Sequence, residues 1–350
     1  MSHRLQTEAP QPSIPLVNIA WIHPFLEILD EVGAPYDQLL EEAGLPSLAV
    51  DDASALVPTA AIYEFVHLAT AATGIPDLGL RAGRRLEIET ILPSGESLWS
   101  QPGVFRTLER FIDVCLESSS NVDMWVESRS DRAKTVEFFY QGTFGPENRA
   151  FPTVEQFMVA LMVRLTRLAA GPRWNPDLVN FRAASVPKLA TRRLVGNAEV
   201  RCGQTKTSIL FPARQWVSRV ESFPDPGSAV WKRHRKSLTR WNEAADLVGS
   251  LRLVLRAYLP DGSPDIGLAA GLTGSSVRTL QRRLAEGGTS YSQLLEELRH
   301  DLALYLLRDP DLQASEISRE LGYRDPAIFT RAFRRWTGQT PSQYRRTLHT

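Results

Sequence analysis

Cysteine is scarce in this 350-residue chain, which has only Cys115 and Cys202. Two cysteines exclude a disulfide framework, and they exclude a structural zinc site, which needs about four ligands at recognisable spacing. Both sit in ordinary helix and strand patterns, so a buried pair of reduced thiols in a cytoplasmic protein is expected. Long hydrophobic runs are absent as well, although 43% of the residues are hydrophobic. The expectation is therefore a soluble protein without a membrane span, large enough for two domains. The opening MSHRLQTEAPQPSIP is polar and proline-rich, unlike a secretory leader, and residues 1–15 read as a flexible arm.

Catalytic constellations are missing too. His23 and His67 stand singly inside apolar helical patterns, with no carboxylate at metal-ligand spacing. Ser94-Gly95-Glu96-Ser97 lacks the flanking glycines of a nucleophile elbow and reads as a loop. Glu87 and Glu89 are two residues apart, which suits neither a strand nor a helix as an acid/base pair. No glycine-rich phosphate loop follows a strand. The chain is thus expected to have no catalytic residues, no metal and no cofactor.

What is present is a degenerate repeat near the C-terminus. SSVRTLQRRLAEGGTS (275–290) and DPAIFTRAFRRWTGQT (325–340) share one pattern of apolar, arginine and glycine positions. Gly274 pairs with Gly322, Leu280 with Phe329, Arg282 with Arg331, Leu284 with Phe333 and Gly288 with Gly338, spaced 48 to 50 residues apart. Each copy has the parts of a helix-turn-helix. In the first, Ile266 to Ala270 form a short helix, Gly271 to Gly274 a turn, and Ser276 caps a second helix that Gly287 and Gly288 stop. In the second, Ser315 precedes EISRELG, Gly322 turns, Pro326 takes the first helical position and Gly338 closes. Capping boxes at Ser290 with Gln293 and at Thr340 with Gln343, the latter followed by Pro341, start the next helices.

At about 100° per residue, Leu280 and Leu284 share one side of the first helix while Arg278 and Arg282 lie nearly opposite. Phe329, Phe333 and Trp336 form the matching buried stripe of the second, with Ala327, Arg331 and Arg334 outward. Such a basic face fits a DNA major groove, where arginine pairs with guanine and glutamine with adenine. Between the copies, Leu294, Leu295, Leu298, Leu302, Tyr305 and Leu306 recur at helical spacing. A spacer of roughly 19 residues gives a rod of roughly 28 Å, close to the ~34 Å between successive major-groove faces.

Net charge is zero, but its distribution is uneven. Residues 1–230 carry 21 Lys+Arg against 27 Asp+Glu, a net of −6, and residues 231–350 carry 19 against 13, a net of +6. A polyanion would be drawn to one end and repelled by the other. The sign changes beside the turn-rich FPDPGS (223–228), and residues 223–244 are expected to be a linker. Its basic run WKRHRKSLTRW (231–241) reads equally as a linker helix touching the DNA backbone or as a solvated hinge.

On LQRRL (280–284), the Ser290-Tyr291 entry to the spacer, Ile317, Leu321-Gly322-Tyr323, FTRAFRRWTG (329–338) and TPSQYR (340–345), residues 245–350 resemble the DNA-binding domain of AraC-type (AraC/XylS) bacterial transcription regulators. The resemblance implies an all-α domain with two helix-turn-helix motifs joined by a long helix. It implies Arg278, Gln281 and Arg282 as the base-facing set of the first recognition helix, and Ala327, Ile328 and Arg331 as that of the second. Ser276, Thr279, Thr330, Arg334 and Arg335 complete the expected DNA-binding surface. Two departures stand out. Ser318 replaces a frequent alanine, a small change in size, and the short Ala327 leaves the second helix less to read, down to a thymine methyl plus phosphates.

Residues 16–222 read as an α+β domain. Helices are expected at 18–31, 58–72, 103–118 and 152–170, the last with Phe157, Leu161, Leu165 and Leu168 on one face. Strands are expected at 121–128, 134–140, 177–183 and 207–211, with turns at Asp131 and Gly142. In the order of its elements this domain resembles the N-terminal domain of the arabinose-binding AraC-type subgroup. Double-stranded DNA, a small-molecule effector, a second copy of the chain and RNA polymerase are the partners so implied, with activation and repression both open as the output. The effector site is not assigned by any motif; Trp21, Phe25, Trp125, Phe139 and Trp174 are aromatic candidates for its lining, or plain core. The alternatives are a regulator whose N-terminal domain only dimerises or binds a protein, and an enzyme domain fused to a DNA-binding domain. Methylated-DNA repair proteins with a similar C-terminal domain need a zinc-binding cysteine cluster, which two cysteines cannot supply.

Overall fold

The computed structural model describes residues 13–52, 55–87, 104–120, 122–129, 135–212 and 246–348. Most of the expected arm, the linker 223–244 with both of its motifs, the Ser94–Ser97 loop, Glu89 and the Asp131 turn lie outside the described residues.

The chain enters through β1 (Leu16–Asn18) and a single turn of 3-10 helix (Ile19–Ile22), then α1 (His23–Glu31). The expected helix at 18–31 therefore starts late. The Asn18 side chain accepts the Ala20 amide and caps the 3-10 turn, and Pro24 suits the first turn of α1. Next come α2 (Tyr36–Glu42), β2 (Leu56–Pro58), α3 (Thr59–Thr73) and α4 (Leu78–Arg85). They are followed by α5 (Val104–Ser118), β3 (Asp123–Arg129), β4 (Thr135–Gln141) and α6 (Phe151–Ala170). The last described elements before residue 213 are β5 (Leu178–Asn180), α7 (Lys188–Val195), β6 (Glu199–Arg201) and β7 (Thr207–Pro212).

Two sheets result. β1 and β2 form an antiparallel ribbon with Val17 opposite Val57. The larger sheet has the order β3-β4-β7-β5-β6, antiparallel except for the parallel β5–β6 pair. Helix α6 is the hub between the layers. From Val159 to Val163 every residue is fully buried, as expected of a helix that is apolar on all sides rather than on one stripe. Leu168, expected in that stripe, is instead 49% exposed on the last turn. Helix α4 lies close along α6 because Gly79 and Gly83 present no side chain; a Cβ on Gly79 would come 1.9 Å from the Thr153 carbonyl oxygen.

The C-terminal region is all helix: α8 (Leu247–Tyr258), α9 (Ile266–Leu272), α10 (Val277–Glu286), α11 (Tyr291–Leu306), α12 (Ala314–Glu320), α13 (Pro326–Thr337) and α14 (Pro341–Leu348). The spacer rod α11 has 16 residues, so it spans about 24 Å, one turn shorter than expected. Its Tyr305 is 61% exposed, outside the core stripe assigned to it, with Arg256 of α8 over its ring.

Helix α8 packs against β2. Tyr258 donates its hydroxyl to the Gly44 carbonyl at 2.8 Å, Ser250 Oγ accepts the Ser13 amide at 3.1 Å, and Asp261 accepts the Leu48 amide at 3.1 Å. One continuous core runs from the N-terminal domain through Leu251, Val254 and Leu255 to Leu280, Leu284 and Leu294. A separate small core holds Ala303, Leu307, Ile317, Leu321, Phe329 and Phe333. The first helix-turn-helix is thus built onto the N-terminal domain, whereas the second has a core of its own.

Candidate functional site

In the first helix-turn-helix, α9 and α10, the helix starts are fixed by side-chain caps. Asp265 accepts the Leu268 amide at 2.7 Å and Ser276 the Thr279 amide at 3.2 Å. Gly274, at φ +61°, makes the turn. Beyond α10 it is Gly288, at φ +77°, that takes the left-handed conformation, while Gly287 caps the helix at φ −81°. Full burial of Leu280 and Leu284 orients α10 so that Arg278, Gln281 and Arg282 are exposed. Ser276 and Thr279 sit at its start, their hydroxyl oxygens 3.0 Å apart. Arg282 also reaches Glu286 at 3.7 Å, a solvated pair too weak to hold it back from another anion.

The second unit, α12 and α13, repeats this with different chemistry. Helix α12 begins earlier than Ser315: Gln313 is its cap, in a reciprocal box with Glu316. Pro326 takes the first position of α13, Asp325 accepts the Ala327 amide at 2.8 Å, and Gly338 closes it at φ +78°. Phe329 and Phe333 are fully buried, and Trp336 is half-buried against Phe333. Ala327, Ile328, Arg331 and Arg334 are consequently exposed, with Ile328 44% open to solvent among arginines. Thr330 is half-buried and donates to the Pro326 carbonyl at 3.0 Å. Arg335 is exposed, yet its guanidinium is paired with Glu296 of α11 at 2.5 Å. Among the described residues, Arg278, Arg331 and Arg334 have no ion-pair partner. The eleven residues expected to touch DNA therefore form two patches on α10 and α13, with α11 between the two units.

The N-terminal domain holds a partly open cavity of about 70 Å³ between β1, α1, α3, α5, β4 and α6. Of the aromatic candidates, Trp21 and Phe25 line it. Trp125 and Phe139 stack on each other on β3 and β4, with the Lys206 ammonium over both rings, and Trp174 packs edge-on against Phe211; none of these three faces the cavity. Val66, Phe157 and Met158 complete much of the wall, and none could be told from ordinary core by spacing. Burial pushes the Tyr63 phenol up to about 12, and it bonds to the Tyr140 hydroxyl, itself raised well above its usual value by burial. Cys115 is fully buried there with its thiol pushed up, whereas Cys202 is half-exposed, so the expected buried pair is one buried and one partly open thiol. His23 lies 2.8 Å from the Val50 carbonyl. Among the described residues no cluster of His, Cys, Asp and Glu could hold a metal ion, and no helix is long and apolar enough to cross a membrane.

Residues 33–220 match the family model described as the arabinose-binding domain of AraC transcription regulators, N-terminal, and residues 269–347 match a helix-turn-helix domain model. The chain belongs to the AraC family of transcription regulators. It is 27% identical over 328 residues to the HTH-type transcriptional regulator VirS of Mycobacterium tuberculosis, covering 92% of this chain and 94% of that protein. It is 24% identical over 336 residues to an ornithine utilization regulator of Pseudomonas aeruginosa, covering 94% and 96%. The solved structure of the transcriptional regulator CdpR from Pseudomonas aeruginosa covers 89% of this chain and 96% of its own at 22% identity, with a TM-score of 0.39. As an AraC-family member, the chain combines a ligand-binding-type α+β domain with an all-helical DNA-binding domain.

Proposed function

We propose that the protein is a sequence-specific regulator of transcription that places α10 and α13 in successive major grooves and responds to a small-molecule effector bound by its N-terminal domain. The observation behind the DNA reading is the repeated exposure of arginine on the second helix of two helix-turn-helix units, each held in place by a fully buried pair, Leu280 with Leu284 and Phe329 with Phe333. In this reading Arg278, Gln281 and Arg282 meet base edges, and Ala327 with Ile328 offers apolar contact to a thymine methyl beside Arg331. Ser276, Thr279, Thr330 and Arg334 are placed for phosphates. Arg335 acts through Glu296 to hold α13 against the rod. The protein would work in the cytoplasm, as a DNA-assisted dimer presenting four reading helices, with affinity raised by effective concentration.

Footprinting of the full-length protein on DNA flanking its own gene tests this. The expected result is two adjacent protected patches about 10 base pairs apart for each bound protomer, lost when the sequence is scrambled and weakened steeply by salt. Absence of binding to any duplex at low salt would overturn the assignment. The effector reading fails if no compound from a broad metabolite panel changes that footprint.

A further inference from the structure

The cavity in the N-terminal domain has three properties that constrain what can enter it. First, none of the residues lining it is charged. Its ionisable groups, Cys115, Tyr63 and Tyr140, are all pushed by burial toward their neutral forms. A carboxylate, phosphate or ammonium group entering it would lose its water and gain no counter-charge, which is strongly unfavourable. Second, the wall is mostly hydrocarbon and aromatic ring: Val17, Trp21, Phe25, Val66, Phe157 and Met158 supply much of it. Third, one polar atom of a lining residue, itself covered by its neighbours, lacks a hydrogen-bond partner. Thr59 is 4% exposed, and its Oγ1 is buried and unbonded. By contrast Ser119 donates to the Ser120 carbonyl, and Tyr63 bonds Tyr140. A buried hydroxyl left unbonded is unfavourable and is rare in folded proteins without a reason.

From these we infer that the cavity is a binding site for a small, uncharged, largely hydrocarbon molecule carrying a single hydroxyl or carbonyl, which completes the hydrogen bonding of Thr59. The space of about 70 Å³, open on one side, suits a ligand the size of a short alcohol or a single ring. Met158, with three rotatable bonds, is the wall member best able to yield to a larger one. The position of Thr59 also gives the site a consequence. It is the first residue of α3 and directly follows β2, and α8 of the DNA-binding domain packs against that strand. A ligand drawn to the Thr59 hydroxyl would bear on the ribbon that the DNA-binding domain rests on.

The inference names the ligand class for the effector reading above and rests on that reading only for its link to DNA; binding itself is measured without DNA. Saturation-transfer NMR on the full-length protein would compare 1-butanol, phenol and cyclohexanone with butyrate and benzoate. The neutral probes should bind and the charged ones should not. Thr59→Val, which keeps the shape and removes the hydroxyl, should weaken phenol about tenfold, the value of one good hydrogen bond, and leave toluene unchanged. Val66→Leu, which fills part of the space, should weaken phenol and toluene alike, and circular dichroism should show both variants folded as the parent. Binding of benzoate as well as phenol, or of neither neutral nor charged probes, would overturn the inference while leaving open an effector bound elsewhere. Selective binding of the neutral probes with an unchanged footprint would uphold the site and remove the effector reading instead.

Discussion

Glu296 Oε1 accepts the indole N–H of Trp336 at 2.6 Å, a bond that ties the rod α11 to the second recognition helix. The same carboxylate takes the Arg335 guanidinium, so a residue expected at the DNA surface makes a solvent-exposed ion pair with the protein's own rod. On the other side of the unit, Arg299 donates to the Leu321 carbonyl at 2.9 Å and lies over the Tyr323 ring. Helix α13 is therefore positioned from the rod through polar contacts as well as through its phenylalanines.

The Trp336 and Arg335 hydrogen bonds hold the Glu296 carboxyl below the usual carboxylate range. A depressed carboxylate contributes stability above its unfolded pKa and loses it as pH falls through the folded value. Glu296→Gln should therefore melt slightly below the parent at neutral pH, by at most about 1 kcal/mol because the pair is solvated, and the difference should shrink below about pH 4. Thermal melts of both proteins across pH 3 to 7 check this; a gap that widens in acid would refute it.

Arg282→Ala should lose about 1–3 kcal/mol of affinity and relax preference at one or two base pairs, while the protein melts like the parent. Arg331→Ala, with only Ala327 and Ile328 beside it, should weaken specific and scrambled DNA more evenly, and lower the salt slope if it touches phosphate. Competition gel shifts with single-base operator variants distinguish the two. Full retention of sequence preference by Arg282→Ala would mean that another face of α10 enters the groove.

Phe333→Ala removes a fully buried ring from the second core and should destabilise that unit by about 3–5 kcal/mol. It should abolish binding by unfolding, which a lowered melting point separates from the arginine variants.

Ser318 is 1% exposed, and its Oγ has no hydrogen-bond partner. Ser318→Ala should raise stability by about 1 kcal/mol without touching DNA affinity. A less stable alanine variant would show that the hydroxyl is satisfied in solution. The sequence comparison of size alone treated this serine as a small change; its burial makes it an energetic one.

Gly322 adopts φ +73°, and a Cβ there would come 2.6 Å from the Leu259 carbonyl oxygen. Gly322→Ala should thus destabilise the second unit by about 1–3 kcal/mol through backbone strain, with the steric conflict added. In a footprint, protection of one patch should fade before the other. Uniform loss of both patches would count against this localisation.

The reading helices are legible in the sequence because several local signals agree there: a capping side chain, a glycine turn, an apolar pair about one turn apart and arginines opposite. Those signals recur, so each copy checks the other, and Ser276, Pro326 and Gly338 all occupy the helix ends their chemistry suggests. The long elements of the N-terminal domain are legible for a similar reason, since α3, α5 and α6 are long enough for a period to show. Strands β1, β2 and β6 have three residues each, too few to display alternation, and of the strand expected at 177–183 only Leu178–Asn180 forms β5. The packing of helix α8 is not legible in its own sequence, because its apolar face meets a strand nearly two hundred residues earlier. The cavity is invisible to pattern reading for a deeper reason. Trp21 and Phe157 beside a void and Trp174 and Phe211 in solid packing are both edge-to-face aromatic pairs, and only the three-dimensional arrangement tells a hole from a filled core.

The two cores described above divide the molecule's breathing motions unequally. Opening of the first reading unit must disturb Leu251, Val254 and the packing beneath β2, so its amides should exchange with solvent hydrogen only as the larger body opens. The second unit rests on six buried residues of its own and can open while the rest stays folded. Amide protection should accordingly fall in α12 and α13 long before α10, and duplex DNA should raise it most where the free protein has least. The far reader would then gain much of its order from the operator itself, making its contribution to affinity the part most sensitive to temperature.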